Sequence, residues 1–304
     1  MKYAWFPERG ERIESLKRFL QKPWSEKVKK VKLVFLRIFG VIPVRLPLGG
    51  WWLAYNDATG NEVVGGRFET AERRFVIELL GPGMTVLDIG AHHGLYTLLA
   101  ARRVGPKGRV VAFEPSPRER RKLVLNVRLN RCANVQIENC ALGSSAGEAD
   151  FFLVDGIDTG CNSLRPPNVK EPTRVVHVPV NVLDVCLRLR AIDRIDFIKM
   201  DVEGGEREVL KGAVELLDRR PRPVILCEVQ DHRAEAWGYQ AREVIEFLSS
   251  RGFHWFCLPD DGGLEEVDCQ QENFCGNFVA IPQERLEQFR AAAHGRRAEE
   301  VTQA

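Results

Sequence analysis

From Glu69 to about Pro282, short apolar runs rich in β-branched residues alternate with longer amphipathic segments. This alternation predicts βαβ units, and hence an α/β fold with a mainly parallel, doubly wound sheet. Seven apolar runs bounded by Gly or Pro are the predicted strands: Thr85–Ile89, Arg109–Phe113, Val135–Cys140, Asp196–Met200, Val224–Val229, His254–Leu258 and Asn277–Ile281. Five amphipathic segments are the predicted helices: Thr70–Leu80, Gly94–Arg103, Pro117–Asn130, Glu206–Leu217 and Ala241–Arg251.

The last two predicted strands are joined by an acidic, Gly-rich segment, Pro259 to Asn277, that leaves no room for a crossover helix. We therefore expect them to form an antiparallel hairpin at one edge of the sheet. A further strand pair is expected inside the long insert 143–193, at Ala149–Val154 and His177–Val180.

Three domains are predicted along the chain. Residues 1–64 form a basic helical and β-hairpin extension, residues 65–282 form the α/β domain, and residues 283–304 form a polar helical tail. Within the extension, residues 11–39 read as helical, and the Gly- and aromatic-rich stretch 43–68 predicts one or two short β-hairpins.

Composition and charge narrow the class of protein. The chain has 304 residues, 44% hydrophobic and 28% charged, with a net charge of +2, which excludes collagen-like, mostly disordered and polytopic membrane chains. Eight cysteines show no CxxC pair and no zinc-finger spacing, and no signal-peptide core opens the chain, so we expect free thiols in a reducing, cytoplasmic compartment. A disulfide between Cys269 and Cys275 is the alternative.

The charge is unevenly spread. Residues 1–40 hold eleven Lys and Arg against four Asp and Glu, whereas the remaining 264 residues hold 33 against 38. The segment Lys27–Phe39 places apolar residues near helical spacing between the basic ones. Packing of this apolar stripe on the catalytic domain or on a dimer partner is one interpretation. Contact with an anionic membrane surface is another. Nucleic-acid binding is not expected, because aromatic residues that could stack on bases are sparse.

Residues Val86–Gly94 run from an apolar strand through Asp88 into a Gly-rich turn ahead of a predicted helix. Such a turn leaves backbone N–H groups facing a ligand, and its glycines let the ligand approach closely. Asp88 would repel a pyrophosphate but suit an ammonium group, unlike the GxGxxG turn of dinucleotide-binding proteins. A simple tight turn between strand and helix is the alternative.

Glu114 ends the second predicted strand, 26 residues after Asp88, and Pro115 stops that strand. A carboxylate at this place can accept hydrogen bonds from two ribose hydroxyls. The alternative is a surface glutamate at a strand end.

A third motif, Ile195–Glu206, ends an alternating apolar strand in three carboxylates, Asp201, Glu203 and Glu206. The carboxyl ends of strands are where open α/β sheets bind ligands. Glu206 could equally be an acidic residue that stabilises the following helix dipole.

Together the three motifs resemble the FkbM family of S-adenosylmethionine-dependent methyltransferases, over roughly residues 65–282. The family shows an Asp-x-Gly-Ala-Asn-x-Gly turn, a Phe-Glu-Pro after the second strand and a Lys-x-Asp-x-Glu-Gly-x-Glu block. These correspond here to Asp88–Gly94, Phe113–Pro115 and Lys199–Glu206. The chain departs from the family at His92, where the family usually has Asn.

The resemblance implies the Rossmann-like, class I methyltransferase fold and binding of S-adenosylmethionine. Asp88, Gly90 and Gly94 would line the methionine end, Glu114 would hold the ribose hydroxyls, and Ala141 would sit beside the adenine. The full predicted cofactor site comprises Glu69, Asp88, Gly90, Ala91, His92, Gly94, Glu114, Pro115, Ser116, Ala141 and Asp201.

The implied reaction is displacement at the sulfonium methyl group by an acceptor oxygen or nitrogen, with O-methylation of a small molecule or saccharide favoured. A hydroxyl acceptor needs a base, for which Asp201 and Glu203 are the nearest candidates. The predicted catalytic residues also include Glu228 and His232, although a solvated loop His is the alternative for His232. Asn162 and Ser163, in the insert, are placed near the acceptor.

A magnesium ion is an alternative that we do not expect, with Asp201, Glu228 and Gln230 as its oxygen ligands. Two further alternatives concern function: an NAD-dependent oxidoreductase on a Rossmann-type fold, and a non-catalytic S-adenosylmethionine-binding module. Whether the chain forms a homo-oligomer is left open.

Overall fold

The computed structural model describes residues 22–260 and 263–289. The beginning of the predicted basic helix (residues 11–21) and most of the predicted C-terminal tail (290–304) lie outside the described residues. The described part divides into two compact units, one of residues 22–44 and 53–68, the other of residues 45–52, 69–260 and 263–289.

The first unit contains helix α1 (Trp24–Phe39), strand β1 (Val41–Arg45, which ends in the second unit) and helix α2 (Ala58–Gly65). Strand β2 (Trp51–Tyr55) begins in the second unit and forms a two-stranded sheet with β1. The β1–β2 pair matches one predicted hairpin, but α2 replaces the second. The Asp57 carboxylate accepts a hydrogen bond from the Gly60 amide 2.8 Å away and so caps α2, which makes a helix start from a sequence that reads as a turn.

The second unit contains a large sheet whose strands follow the predictions closely. Its strands are β3 (Thr85–Ile89), β4 (Arg109–Phe113), β5 (Val135–Glu138), β9 (Phe197–Met200), β10 (Val224–Gln230), β11 (Phe253–Cys257), β12 (Glu265–Glu266) and β13 (Cys275–Pro282). Within the described residues their order is β12-β11-β13-β10-β9-β3-β4-β5. This confirms the doubly wound α/β fold, with the short edge strand β12 as an eighth member.

The antiparallel hairpin of β11 and β13 is confirmed, and it lies at one edge of the sheet as predicted, with the two-residue β12 beyond it. Strand β13 pairs antiparallel with β11 and also with β10, so it is the hairpin strand that joins β11 to the parallel strands.

The remaining helices pack around this sheet. They are α3 (Thr70–Leu79), α4 (Leu95–Val104), α5 (Pro117–Leu129), α6 (Leu183–Leu189), α7 (Glu206–Lys211), α8 (Val214–Asp218), α9 (Asp231–Ala234) and α10 (Arg242–Ser249), with single 3₁₀ turns at Thr159–Cys161, Glu235–Trp237 and Gln283–Arg285. One predicted helix, Glu206–Leu217, is two helices, because the chain turns at Gly212, where an added Cβ would lie 2.3 Å from the Gly143 carbonyl oxygen. Helix α6 was not predicted.

A smaller sheet lies in the insert, as predicted. Strand β7 (Gly147–Val154) pairs antiparallel with β8 (Thr173–Asn181), and β8 also pairs with β6 (Ala141–Leu142). All eight cysteines are free thiols, so Cys269 and Cys275 form no disulfide. None of the described helices is long and apolar enough to cross a membrane.

Candidate functional site

A cleft of about 580 Å³, open to solvent, lies at the carboxyl ends of β3, β4 and β9. Six of the predicted cofactor-site residues line it together: Gly90, His92, Glu114, Pro115, Ala141 and Asp201. Phe113, Leu142, Phe151 and Trp237 form apolar parts of its wall. Residues of all three sequence motifs therefore meet at one cleft.

Other predicted cofactor-site residues lie behind the lining. The buried Asp88 carboxylate accepts a hydrogen bond from the Thr97 hydroxyl, and burial raises the pKa of Asp88 to about 6. The Ser116 hydroxyl accepts from the Glu119 amide and caps α5. Gly94 directly precedes α4, and Ala91 is buried in the turn between. These residues support the turns that form the cleft.

The turn after β3 contains three left-handed residues, Gly90, His92 and Gly94. At Gly90, with φ +83°, an added Cβ would lie 1.8 Å from the Asp201 carbonyl oxygen, so only glycine lets the two strand ends come this close. His92 has φ 49°. Asn and His are among the non-glycine residues that tolerate this region, which explains how His92 can stand where the family usually has Asn.

Glu114 joins this turn to the end of β4. One carboxylate oxygen accepts from the His92 amide at 2.7 Å, and the other accepts from the Ser116 amide at 2.8 Å. Burial nevertheless raises the pKa of Glu114 to about 8, although both backbone hydrogen bonds oppose the rise. The side chain is 5% exposed, and it faces the cleft.

Behind His92 lies a buried cluster of charged groups. The His93 and His92 rings stack with centroids 3.6 Å apart, and His93 Nε2 lies 2.6 Å from a Glu119 oxygen. Lys122 Nζ lies 2.8 Å from the same oxygen, and Arg118 also contacts Glu119. Burial, followed by the charge of His93, lowers the pKa of His92, so its imidazole is neutral at the cleft.

At the end of β9, Asp201 is held by a buried cation. Lys199 Nζ, on a side chain 3% exposed, donates to Asp201 Oδ2 at 3.2 Å and to the Asn277 side-chain oxygen at 3.4 Å. Burial opposes ionisation of Asp201, but Lys199 and Arg233 outweigh it and hold the pKa of Asp201 below its usual value. Asp201 is therefore ionised where it borders the cleft.

The pKa values of the neighbouring carboxyl groups Glu69 and Glu228 are raised, in contrast to that of Asp201. Burial raises the pKa of Glu69, which accepts from the Tyr96 hydroxyl at 2.6 Å and from the Asn277 amide at 3.1 Å. Burial and the nearby Asp201 raise the pKa of Glu228 well above its usual value. The Gln230 amide donates to Glu228 at 2.7 Å. Glu228 thus favours its protonated form beside Asp201.

Glu203 lies on the shared wall of two cavities. Its φ of 59° is unusual for a residue with a side chain, and Arg233 contacts its carboxylate. The second cavity, of about 430 Å³, is lined by Glu203, the exposed His232, Arg233, Ser163 and Arg165 among others. His232 does not line the first cleft. The two residues predicted to lie near the methyl acceptor are in different cavities: Asn162 lines the first and Ser163 lines the second.

Glu206 closes the turn after β9. Its carboxylate accepts from the backbone amides of Val202 at 3.1 Å and Gly204 at 3.3 Å, and burial raises its pKa to about 7. Its contacts are therefore with the turn ahead of α7. This agrees with the alternative interpretation of Glu206 as an acidic residue at the start of a helix.

Sequence reasoning missed three groups at the site: Lys199, Arg233 and Trp237. Lys199 sits within the third motif, but an alternating strand pattern does not show that a lysine is buried. The Trp237 indole donates to the Glu203 carbonyl at 3.3 Å from a 3₁₀ turn that has no periodic signal. Arg233 could have been found as the cation that follows a cluster of acids.

Among the described residues, two groups of side chains bring ligand atoms close enough for a metal ion. Oxygens of Asp201, Glu203 and Glu228 lie within 4.8 Å of one another, as do ligand atoms of His92, His93 and Glu119. In each group cations already balance the carboxylates, Lys199 and Arg233 in the first and Lys122 and Arg118 in the second. A metal at the predicted position of Asp201, Glu228 and Gln230 would have to compete with the first pair.

Comparison with curated proteins finds relatives of known type. The AMB antimetabolite synthetase AmbE of Pseudomonas aeruginosa is 28% identical over 71% of this chain, which spans 12% of that protein's length. The 2-O-methyltransferase NoeI of Sinorhizobium fredii is 26% identical, with 59% of this chain and 76% of the relative covered. The 31-O-demethyl-FK506 methyltransferase FkbM of Streptomyces tacrolimicus is 28% identical, with 57% and 74% covered.

A protein-family model also matches the chain. The model described as the methyltransferase FkbM domain matches residues 88–255, more than half of the 304 residues, from the turn after β3 to strand β11. The matched stretch includes the Asp88 turn, Glu114 and the Asp201 motif. By this match, the chain belongs to the FkbM methyltransferase family.

Proposed function

We propose that this chain transfers a methyl group from S-adenosylmethionine to a hydroxyl oxygen of a small molecule or saccharide. The observation that carries the proposal is that Glu114 and Asp201, at the ends of β4 and β9, border one cleft on either side of the turn after β3. The names of two relatives, the 2-O-methyltransferase NoeI and the 31-O-demethyl-FK506 methyltransferase FkbM, refer to methylation of an oxygen. These names favour a hydroxyl acceptor for this chain.

The chemistry of the cleft fits the cofactor. A carboxylate has about four acceptor sites, and the two backbone amides on Glu114 leave others for ribose hydroxyls. Ala141, Leu142 and Phe151 offer an apolar wall of the kind that an adenine ring requires. When bound, S-adenosylmethionine supplies an electrophilic methyl group on a cationic sulfonium. The ionised Asp201 gives the cleft a negative charge that suits this cation.

The acceptor is proposed to reach the cleft from the second cavity. Glu203 lines both cavities, so a hydroxyl held at Glu203 would lie between the cofactor cleft and His232. As the acceptor oxygen forms its bond to the methyl carbon, the carbon–sulfur bond breaks and the hydroxyl proton must leave. Asp201 and Glu203 can orient the hydroxyl, and His232 can take up its proton.

Calorimetric titration with S-adenosylhomocysteine tests the cofactor. The full chain should bind it, and Glu114→Ala should weaken binding at least about tenfold, because hydrogen bonds to a charged group are lost. Glu148→Ala, at an exposed position on β7, is the matched control and should bind normally. Binding of NADH without S-adenosylhomocysteine would overturn the proposal in favour of a dehydrogenase.

A further inference from the structure

Helix α1 presents an apolar face to solvent. Trp24 is 78% exposed, Ile38 69%, Phe39 64% and Val34 53%. The rings of Phe35 and Phe39 stack with centroids 5.7 Å apart along this face. Leu36 is the one buried residue of the helix. Most of the apolar side chains of α1 are therefore exposed.

The exposed residues lie on one side of the helix. At 100° per residue, Trp24, Val31, Phe35 and Ile38 fall on a single face, with Val34 and Phe39 at its borders. Leu36 falls on the other side of the helix. Lys29 lies at nearly the same angle around the helix axis as Leu36 and is near Gly66 at the end of α2, so this side of α1 faces α2. The exposed apolar face is therefore the outer face of the helix.

Basic side chains flank this face. Lys30, Lys32 and Arg37 are exposed, and the helix also carries Lys27 and Lys29. Its acidic residue, Glu26, lies 3.3 Å from Lys29. The outer surface of α1 is thus both apolar and cationic, and it would attract an anionic partner.

These features select one kind of partner. The helix has 16 residues and five basic side chains, too short and too charged to cross a bilayer. Two copies of the chain meeting through this face would bring ten basic side chains together, which disfavours a dimer. An anionic lipid surface satisfies both features, because its acyl chains accept the apolar residues and its headgroups pair with the cations.

We propose that α1 lies in the plane of an anionic membrane, with Trp24, Phe35 and Ile38 inserted and Lys30, Lys32 and Arg37 at the headgroups. The described residues of this helix belong to one compact unit, and the residues lining the cofactor cleft belong to the other. The surface would place the protein at a membrane without taking part in the reaction. This proposal stands or falls independently of methyl transfer.

Sedimentation of the full chain with lipid vesicles tests it. The protein should sediment with vesicles of phosphatidylcholine mixed with phosphatidylglycerol, and much less with phosphatidylcholine alone or at high salt. The double variant Phe35→Ser/Ile38→Ser should bind at least about tenfold more weakly, because two apolar side chains no longer leave water. Lys32→Glu/Arg37→Glu should weaken binding to the anionic vesicles in particular.

Leu189→Ser is the matched control, since Leu189 is 79% exposed on α6, away from α1 in the chain. It should sediment as the parent does, and circular dichroism should show all variants folded. Failure of the parent chain to bind anionic vesicles at low salt would overturn the proposal. So would equal binding by Phe35→Ser/Ile38→Ser, or a dimer in solution that this variant abolishes, which would assign the face to a second copy.

Discussion

Glu114 and Asp201 both border the cleft, and the protein shifts the pKa values of these two carboxyl groups in opposite directions. Glu114, at the end of β4, is held by the backbone amides of His92 and Ser116, and its pKa is raised to about 8. Asp201, at the end of β9, is held by the ammonium group of Lys199, and its pKa is lowered. Near neutral pH the first favours its protonated form and the second is ionised.

The pKa values of the two carboxyl groups shift in opposite directions because their hydrogen-bond partners differ. Backbone amides are dipoles, and two of them do not offset the cost of burying the Glu114 charge, whereas a full positive charge does so for Asp201. Lys199 is itself buried, and burial alone would lower its pKa. The carboxylates of Asp201, Glu69 and Glu228 outweigh that effect and raise it. Asp201 and Lys199 therefore depend on each other, and Glu114 depends on neither.

Of the changes considered, removal of Lys199 should have the largest effect on the difference between the Asp201 and Glu114 sides of the cleft. Lys199→Met would leave Asp201 without its cation, and we expect a loss of about 3 kcal/mol in the free energy of unfolding, the lower end for breaking a buried pair because Asp201 is partly exposed. Urea denaturation at neutral pH measures it. The loss should shrink as pH falls, because protonated Asp201 no longer needs a cation.

The matched control is Lys211→Met, since Lys211 makes a surface ion pair with Glu208 at 2.6 Å. Its effect should stay below about 1 kcal/mol. A Lys199→Met protein as stable as the parent at neutral pH would show that Asp201 does not need the buried ammonium group.

Neutralising Asp201 should affect the reaction more than cofactor binding. Asp201→Asn keeps an acceptor for Lys199 but removes the charge that faces the sulfonium and the acceptor hydroxyl. We expect turnover to fall by about a hundredfold, because the acceptor hydroxyl loses the charged group that orients it. The affinity for S-adenosylhomocysteine, which is not cationic at sulfur, should change little.

Methyl transfer from labelled S-adenosylmethionine, with any acceptor that a panel of hydroxylated metabolites and saccharides identifies, measures turnover, and calorimetry measures affinity. Asp193→Asn, at an exposed position before β9, is the control for the substitution itself. Unchanged turnover in Asp201→Asn would remove Asp201 from the reaction and leave Glu203 and His232.

The sequence predicts the Glu114 side of the cleft better than the Asp201 side. Strands β3 and β4 were predicted to the residue, because each is an apolar β-branched run bounded by Gly or Pro. Glu114 and the turn after β3 follow each other closely in the chain, so local motifs capture their meeting.

The Asp201 side depends on contacts between distant segments, which periodicity does not encode. Lys199, Glu69 and Asn277 come together only when β9, the start of α3 and β13 take their places. The position of β13 between β10 and β11 is what brings Asn277 to Lys199. The same limit applies to Arg233 and Trp237, which reach Glu203 from short turns after β10.

The smallest expected effect distinguishes the two carboxyls by pH. Ribose hydroxyls donating to Glu114 would favour its ionised form, so cofactor binding should release the proton that the raised pKa of about 8 retains in the free protein. Affinity for S-adenosylhomocysteine should therefore rise by up to about tenfold per pH unit below pH 8 and level off above it. Asp201, already ionised over this range, should add nothing to that slope.

Calorimetry in buffers of different ionisation enthalpy would count the released proton. In Glu114→Gln, which cannot ionise, the slope should vanish, whereas in Asp201→Asn it should persist. A slope that survives Glu114→Gln would assign the titration to another group and remove the difference in protonation between the two sides of the cleft.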